Sequence, residues 1–249
     1  MTSAATSGDA ITITGVGTTE AATTHSEGVF VHNGTTISAT GGGNIAITGT
    51  TGGGANPQAT WFNTGSDVNA GAGDLTVTGD TINILGTLQG TGALTIKPKT
   101  DATSIGIAGG AGTLGLTAAY IGQLADGFSD ITIGNANSGA ITVGGAVTFN
   151  DDLNLINDST IAINGALTVN DNLAMTSGGA ISQTQALDIN GTTSITAGSG
   201  NNVTLDDSSN DFTGAVTVVS GNDVSLRDTN AMTLGGSTIS GDLTLVSGG

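Results

Sequence analysis

Between residues 141 and 181 the chain repeats itself on a fixed count. The triplet Ile161-Ala162-Ile163 is followed six residues on by Leu167-Thr168-Val169, six further by Leu173-Ala174-Met175, and eight after that by Ile181. The interval from Ile141 to Ile161 is the same 20 residues. An apolar–polar–apolar triplet is the signature of a short strand buried on one face. Gly, Asn, Asp and Ser fill the gaps, as in "NGA", "NDN" and "SGG", and these residues accept the bent backbone of tight corners. Three short strands and three corners per 20 residues describe one triangular coil. Equivalent strands would stack about 4.8 Å apart and pair in parallel.

The count predicts an all-β protein, a parallel β-solenoid. The main rival is a sandwich of hairpins, for which Asn33-Gly34, Asn164-Gly165 and Asn190-Gly191 are suitable turn dipeptides. A sandwich has no reason to repeat a six-six-eight count, and it usually carries longer strands and more aromatic residues than the seven in this chain. One continuous domain is expected, in three stretches. Residues 1–116 form a solenoid with long loops at 15–27 and 49–59, after "ITIT" and "IAIT". Residues 117–130 form an irregular seam, because Leu116, Tyr120, Ile121, Leu124 and Ala125 fall at helical spacing and predict a short helical excursion near 117–126. Residues 131–249 return to the regular count.

Several stretches, taken as a set, resemble the giant bacterial exoproteins of the filamentous-haemagglutinin type. They are "LTIKPKTDATSIGIAGGAGTLGLTAAYIGQLADGFSDITIGNANSGAITVGGAVTFNDDLNL" (94–155), "NDFTGAVTVVSGNDVSLRDTNAMTLGGSTISGDLTLVSGG" (210–249) and "ITITGVGTTEAATTHSEGVFVHNGTTISATGGGNIAITGT" (11–50). The resemblance implies a right-handed parallel β-helix, export across the outer membrane, and an extracellular or cell-surface location. It implies adhesion, aggregation or surface coating, and a stiff rod is expected; with only Lys97, Lys99 and Arg227 basic and few aromatic residues, no enzymatic activity is expected. The expected partners are a host or neighbouring-cell surface, a glycan or matrix, and further copies of the chain stacked end to end. Two other functions are weighed: a self-assembling filament or surface-layer subunit, and a polysaccharide-active β-helix enzyme.

Composition narrows the alternatives. Three basic residues stand against 20 acidic ones, a net charge of −17, which repels phosphate backbones and anionic bilayers. Nucleic-acid binding and membrane insertion are therefore not expected. With no cysteine, neither disulfides nor thiolate metal sites are available. Strands begin by residue 11, and "LTLVSGG" closes the sequence without a cap. The expectation is a run of further repeats or end-to-end stacking, and a rod of about a dozen coils, on the order of 55 Å.

The candidate sites are few. Gly110-Ala111-Gly112-Thr113-Leu114-Gly115 matches the dinucleotide fingerprint G-x-G-x-x-G. No β-α-β alternation surrounds it and one residue in six is glycine, so no cofactor is expected. Asp151, Asp152, Asp206, Asp207 and Asp211 sit in Asn/Ser/Gly-rich corners. They are the candidate carboxylates for glycoside cleavage and the candidate ligands for calcium, although aspartate at such corners more often caps a turn. Trp61 and Phe62 are read as core fillers beneath the second long loop. Together with His25 they are also the candidate partner contacts. A flat array of outward threonine pairs, as an ice-binding face needs, is not sustained in the columns headed by Thr142 and Thr148.

Overall fold

Ile141, Ile161, Ile181, Val203, Val224 and Leu243 lie opposite one another on successive strands of one sheet. Val147, Leu167 and Leu187 do so on a second, and Leu153, Leu173, Thr193 and Val216 on a third. A computed structural model therefore places the 20-residue period in a stack of triangular coils. It describes residues 1–18, 26–53 and 57–249. Every strand ladder among the described residues is parallel, so the fold is a β-solenoid and the hairpin sandwich is excluded. The Asn-Gly pairs 164–165 and 190–191 turn corners between faces.

Three faces run along the stack. The first is one sheet of nine strands, from Asp9–Val16 to Val216–Ser220. The second begins with Val29–Val31, Thr60–Phe62 and Ile82–Ile84 and continues as an eight-stranded sheet ending in Leu243–Ser247. The third has four strands, from Thr2–Ser3 to Thr87–Gln89, and then four more, from Val147–Phe149 to Asp211–Phe212. Within each apolar–polar–apolar triplet the flanking side chains point inward; in Asp67–Asn69 and Thr87–Gln89 the central Val68 and Leu88 do so instead. Ile161, Ile163, Leu167 and Val169 have no exposed surface, while their central residues are half-buried on the outside. One apolar core runs without a break from Ile11 to Leu226. The second face, three strands and then eight, spans roughly 48 Å at about 4.8 Å per step. The coils are not all of one length: Ile45 pairs with Leu75, and Leu94 with Ile131, across coils well over 20 residues long.

The corners hold themselves together by side-chain ladders. Asn170 Nδ2 donates to Asn150 Oδ1 at 2.9 Å, one coil below. Asp152 Oδ1 accepts from both the N–H and Nδ2 of Asn172, at 2.9 and 2.8 Å, and Asn172 Oδ1 accepts the N–H of Thr192 at 2.8 Å. These amides replace the backbone pairing that is lost where the chain bends.

Two departures from the plain coil position the site below. The long segments between Val16 and Val29, and between Thr50 and Thr60, leave from the same corner of successive coils. Their described bases pair: the Gly17 N–H donates to Thr50 O at 2.9 Å and the Gly52 N–H to Ser26 O at 3.1 Å. The second departure is the seam. Strand Ile105–Ile107 pairs forward with Ile141–Val143 and backward with Leu114–Leu116, both in parallel. The chain thus doubles back through residues 108–113 and fills the level behind itself. Leu114–Leu116 then faces Ile82–Ile84. The helical turn Ala118–Ile121 follows, capped by the Thr117 side chain. Leu124 then takes a strand's place on the third face beside Leu88.

Candidate functional site

The glycines of the fingerprint-like segment build the return loop. Ala108 and Gly109 take positive φ, 51° and 85°, which reverses the chain. Residues 110–112 then lie flat across the outside of the sheet. A Cβ on Gly106 would stand 2.0 Å from Gly110 O, and one on Gly110 would stand 1.9 Å from Thr142 O. The glycines are there because backbone lies on backbone.

The aspartates singled out from the sequence stand at two different corners. Asp151 and Asp152 turn the chain from the third face to the first. Asp206 and Asp207 turn it from the second face to the third, and Asp211 opens the third-face strand Asp211–Phe212. Asp206 accepts from Ser225 Oγ at 2.8 Å, Asp207 from the Ser209 N–H at 2.8 Å and Asp211 from Asn230 Nδ2 at 2.8 Å. Among the described residues no three carboxylates or histidines converge as ligands of one metal ion.

Asp151 differs from the others in its burial. Its Oδ1 accepts the Gly127 N–H of the seam at 2.9 Å, and it borders a cavity of about 80 Å³ between Ile121, Leu124 and Phe149. Burial pushes its pKa up. The Gly127 N–H opposes that push, and the adjacent Asp126 carboxylate reinforces it. A carboxyl raised in the folded state binds its proton more tightly there than in the unfolded chain. Its contribution to stability is in place below the ordinary carboxylate value and is lost as pH rises through the folded one. Asp151→Asn keeps the acceptor and removes the charge. It is expected to resist urea better than the parent at neutral pH and equally well in acid. Urea midpoints measured across that range check this, and a variant weaker at neutral pH would refute it. Asp80 has the opposite sign. Burial pushes it up, but the hydroxyl and N–H of Thr100, the Lys99 N–H and the Lys99 charge together hold it below the usual value. Its contribution is lost as pH falls.

The aromatic residues are sorted more sharply than the sequence suggested. Phe62, Phe128, Phe149 and Phe212 are in the core. Phe62 is fully buried, as its reading as a core filler expected and against the alternative that it meets a partner. Trp61, expected in the core, is on the outside, because strict alternation in Thr60–Phe62 turns only its two flanking residues inward. His25 lies outside the described residues. Trp61 stands opposite Phe30 and Asn83 on the adjacent strands of the second face. Its ring centroid is 5.3 Å from that of Phe30, tilted by 56°. His32 meets the other side of Phe30 edge-on at 5.7 Å. Tyr120, delivered by the helical turn, donates its hydroxyl to Asn83 Oδ1 at 3.1 Å. The row His32, Phe30, Trp61, Asn83, Tyr120 therefore holds all three aromatic rings of Phe, Trp and Tyr that the core does not take. Within it, Trp61 Nε1 is shielded from solvent and has no hydrogen-bond partner, a condition that costs about 1–3 kcal/mol for a buried donor. The alternation of "TWF" could have revealed Trp61. Nothing in the sequence pairs Phe30 with it across a 31-residue coil.

The first face carries the outward threonines that the sequence count did not examine. Thr12 and Thr14, Thr48, Thr76 and Thr78, and Thr95 lie in adjacent rows. The array is broken by Lys97, Gly134, Asn154 and Ile156.

The architecture defines a parallel β-solenoid repeat protein. Residues 150–219 and 221–249 match the family described as Repeats of unknown function (DUF5649), together under half of the chain. No curated protein and no solved structure matches it.

Proposed function

We propose that this chain is a rod-forming, adhesive stretch of a bacterial exoprotein of the filamentous-haemagglutinin type, secreted or held at the cell surface, that works by contact and performs no chemistry. The observation that carries this reading is the nine-stranded face over a single unbroken core. Each coil supports only its neighbours, which makes a stack that can be extended and that presents loops and outward side chains along its length. The net charge of −17 suits a surface that stays soluble and discourages non-specific binding to polyanions. Beads coated with the chain should adhere to a layer of bacterial or animal cells and be displaced by soluble chain. Retention no greater than that of albumin-coated beads would remove the adhesive reading.

End-to-end assembly is a second reading, with its own observation. Strand Leu243–Ser247 pairs through one edge with Val224–Asp228 and leaves Leu243, Leu245 and Val246 exposed. A further coil of the same fold, whether from this chain or from a second copy, would cover them and pair with that strand. Electron microscopy at rising protein concentration decides: particles of constant length would eliminate the filament. No such observation favours the polysaccharide-cleaving reading.

A further inference from the structure

We infer that the aromatic row on the second face is a binding site for a neutral oligosaccharide. The inference deepens the adhesive reading and rests on it for its biological meaning. Three observations converge on the row. The first is distribution. The chain has seven residues of Phe, Trp and Tyr, four of them core phenylalanines, and the remaining three share one row on adjacent strands and the helical turn beside them. Phe30 is 39 % exposed, and its ring and that of Trp61 are tilted against each other.

The second observation is polarity. Asn83 and the Tyr120 hydroxyl sit at the end of the row, joined by one hydrogen bond. A pyranose ring has an apolar C–H face, which stacks on aromatic rings, and a rim of hydroxyls that both donate and accept. Apolar area beside a placed amide and phenol is the surface that such a ring fits. The third observation is shape. Beyond the strand of Asn83 lies Leu114–Leu116, and a side chain on its central Gly115 would meet open space. Beyond Gly115 the return loop rises over Gly106. The row and its glycine step cover about 15 Å, three strand spacings, the length of a short oligosaccharide. Charge selects among sugars. With 20 acidic residues against three basic ones, the surface disfavours uronic-acid and sulfated chains.

The doubled-back seam acquires a purpose in this reading. It brings Leu114–Leu116 beside Ile82–Ile84, sets Gly115 at the end of the row, and delivers Tyr120 on the helical turn that follows.

Trp61 is the one tryptophan in the chain, so its emission reports the site without a label. Cellotriose, maltotriose, chitotriose and a hyaluronan tetrasaccharide are titrated into the whole chain. At least one neutral trisaccharide should shift the emission saturably, and the anionic tetrasaccharide should not. Phe30→Ala removes an exposed ring, so the variant should fold, which circular dichroism verifies. It should weaken the neutral sugar at least about fivefold, the factor for ~1 kcal/mol. No saturable shift with any neutral sugar, or an unchanged affinity in folded Phe30→Ala, overturns the site. Bead adhesion separates the two proposals. Sugar binding without adhesion leaves the site standing and removes the adhesive reading; adhesion without sugar binding removes the site alone.

Discussion

Asn210→Ala is expected to destabilise the protein by about 4 kcal/mol, because one fully buried amide satisfies four other polar groups. Its Oδ1 accepts the Leu187 N–H at 2.9 Å and Gln183 Nε2 at 2.6 Å. Its Nδ2 donates to Leu205 O and Gln183 Oε1, both at 3.1 Å. The residue has no exposed surface, and Gln183 is buried beside it. Alanine would leave a backbone N–H, a backbone C=O and much of a glutamine amide without partners in the interior, where water cannot replace them. A stack that couples only neighbouring coils should fail first where it is cut. Amide hydrogen exchange should therefore rise most across residues 183–212, and urea or heat should unfold the variant well before the parent. Gln183→Ala should cost less, since among the described residues the Gln183 side chain bonds only Asn210 and Gln185 O. The double variant should fall short of the sum, because the two side chains share bonds. Unchanged stability in Asn210→Ala would mean that the buried amide contributes nothing net to the core.

The coil was legible because its corners and strands are written in different alphabets. Ile161, Leu167 and Leu173 alternate with polar residues for only three positions before Asn, Asp or Gly intervenes, and only a stack of short strands can use that count. From this the register of Ile141 on Ile161 and of Val147 on Leu167 follows directly. The seam was half legible. Helical spacing around Tyr120 marked the turn at Ala118–Ile121, but the doubling-back before it left no period to read. In a chain with 43 glycines, the cluster at 106–115 looks like composition until coordinates place Gly110 against Thr142. The aromatic row was illegible for another reason. Phe30, Trp61 and Tyr120 are brought together by the lengths of two insertions and one reversal, and no local pattern encodes those lengths. Trp61 itself was misjudged by weighing size over alternation: a large ring prefers burial, but a two-residue period cannot turn both Trp61 and Phe62 inward.

Gly106→Val is expected to cost about 4 kcal/mol as well, by a steric route. Gly106 and Gly115 are register partners on adjacent strands, yet their outer sides differ completely. A Cβ at 106 would lie 2.0 Å from Gly110 O and 2.8 Å from Gly110 C, backbone atoms that cannot rotate away. A Cβ at 115 would meet nothing within 4 Å. Valine at 106 must therefore lift the return loop or twist the strand Ile105–Ile107. Lifting the loop endangers the bonds from the Ala108 N–H to Leu116 O at 2.7 Å and from the Gly110 N–H to Ile107 O at 3.0 Å. It also loosens Leu114 and Leu116, both without exposed surface. Gly115→Ala, one strand away, should change stability by no more than about 0.5 kcal/mol. Both changes put a side chain on a glycine in the same two-strand ladder, and strand propensity favours the valine, so a larger loss at 106 reports the steric contact. If the urea midpoints of the two variants fell together, the backbone-on-backbone contact would not be what holds the seam. If Gly106→Val alone fell and also abolished the sugar-induced shift of Trp61 emission, the reversal at 108–113 would be shown to shape the aromatic row as well as close the stack.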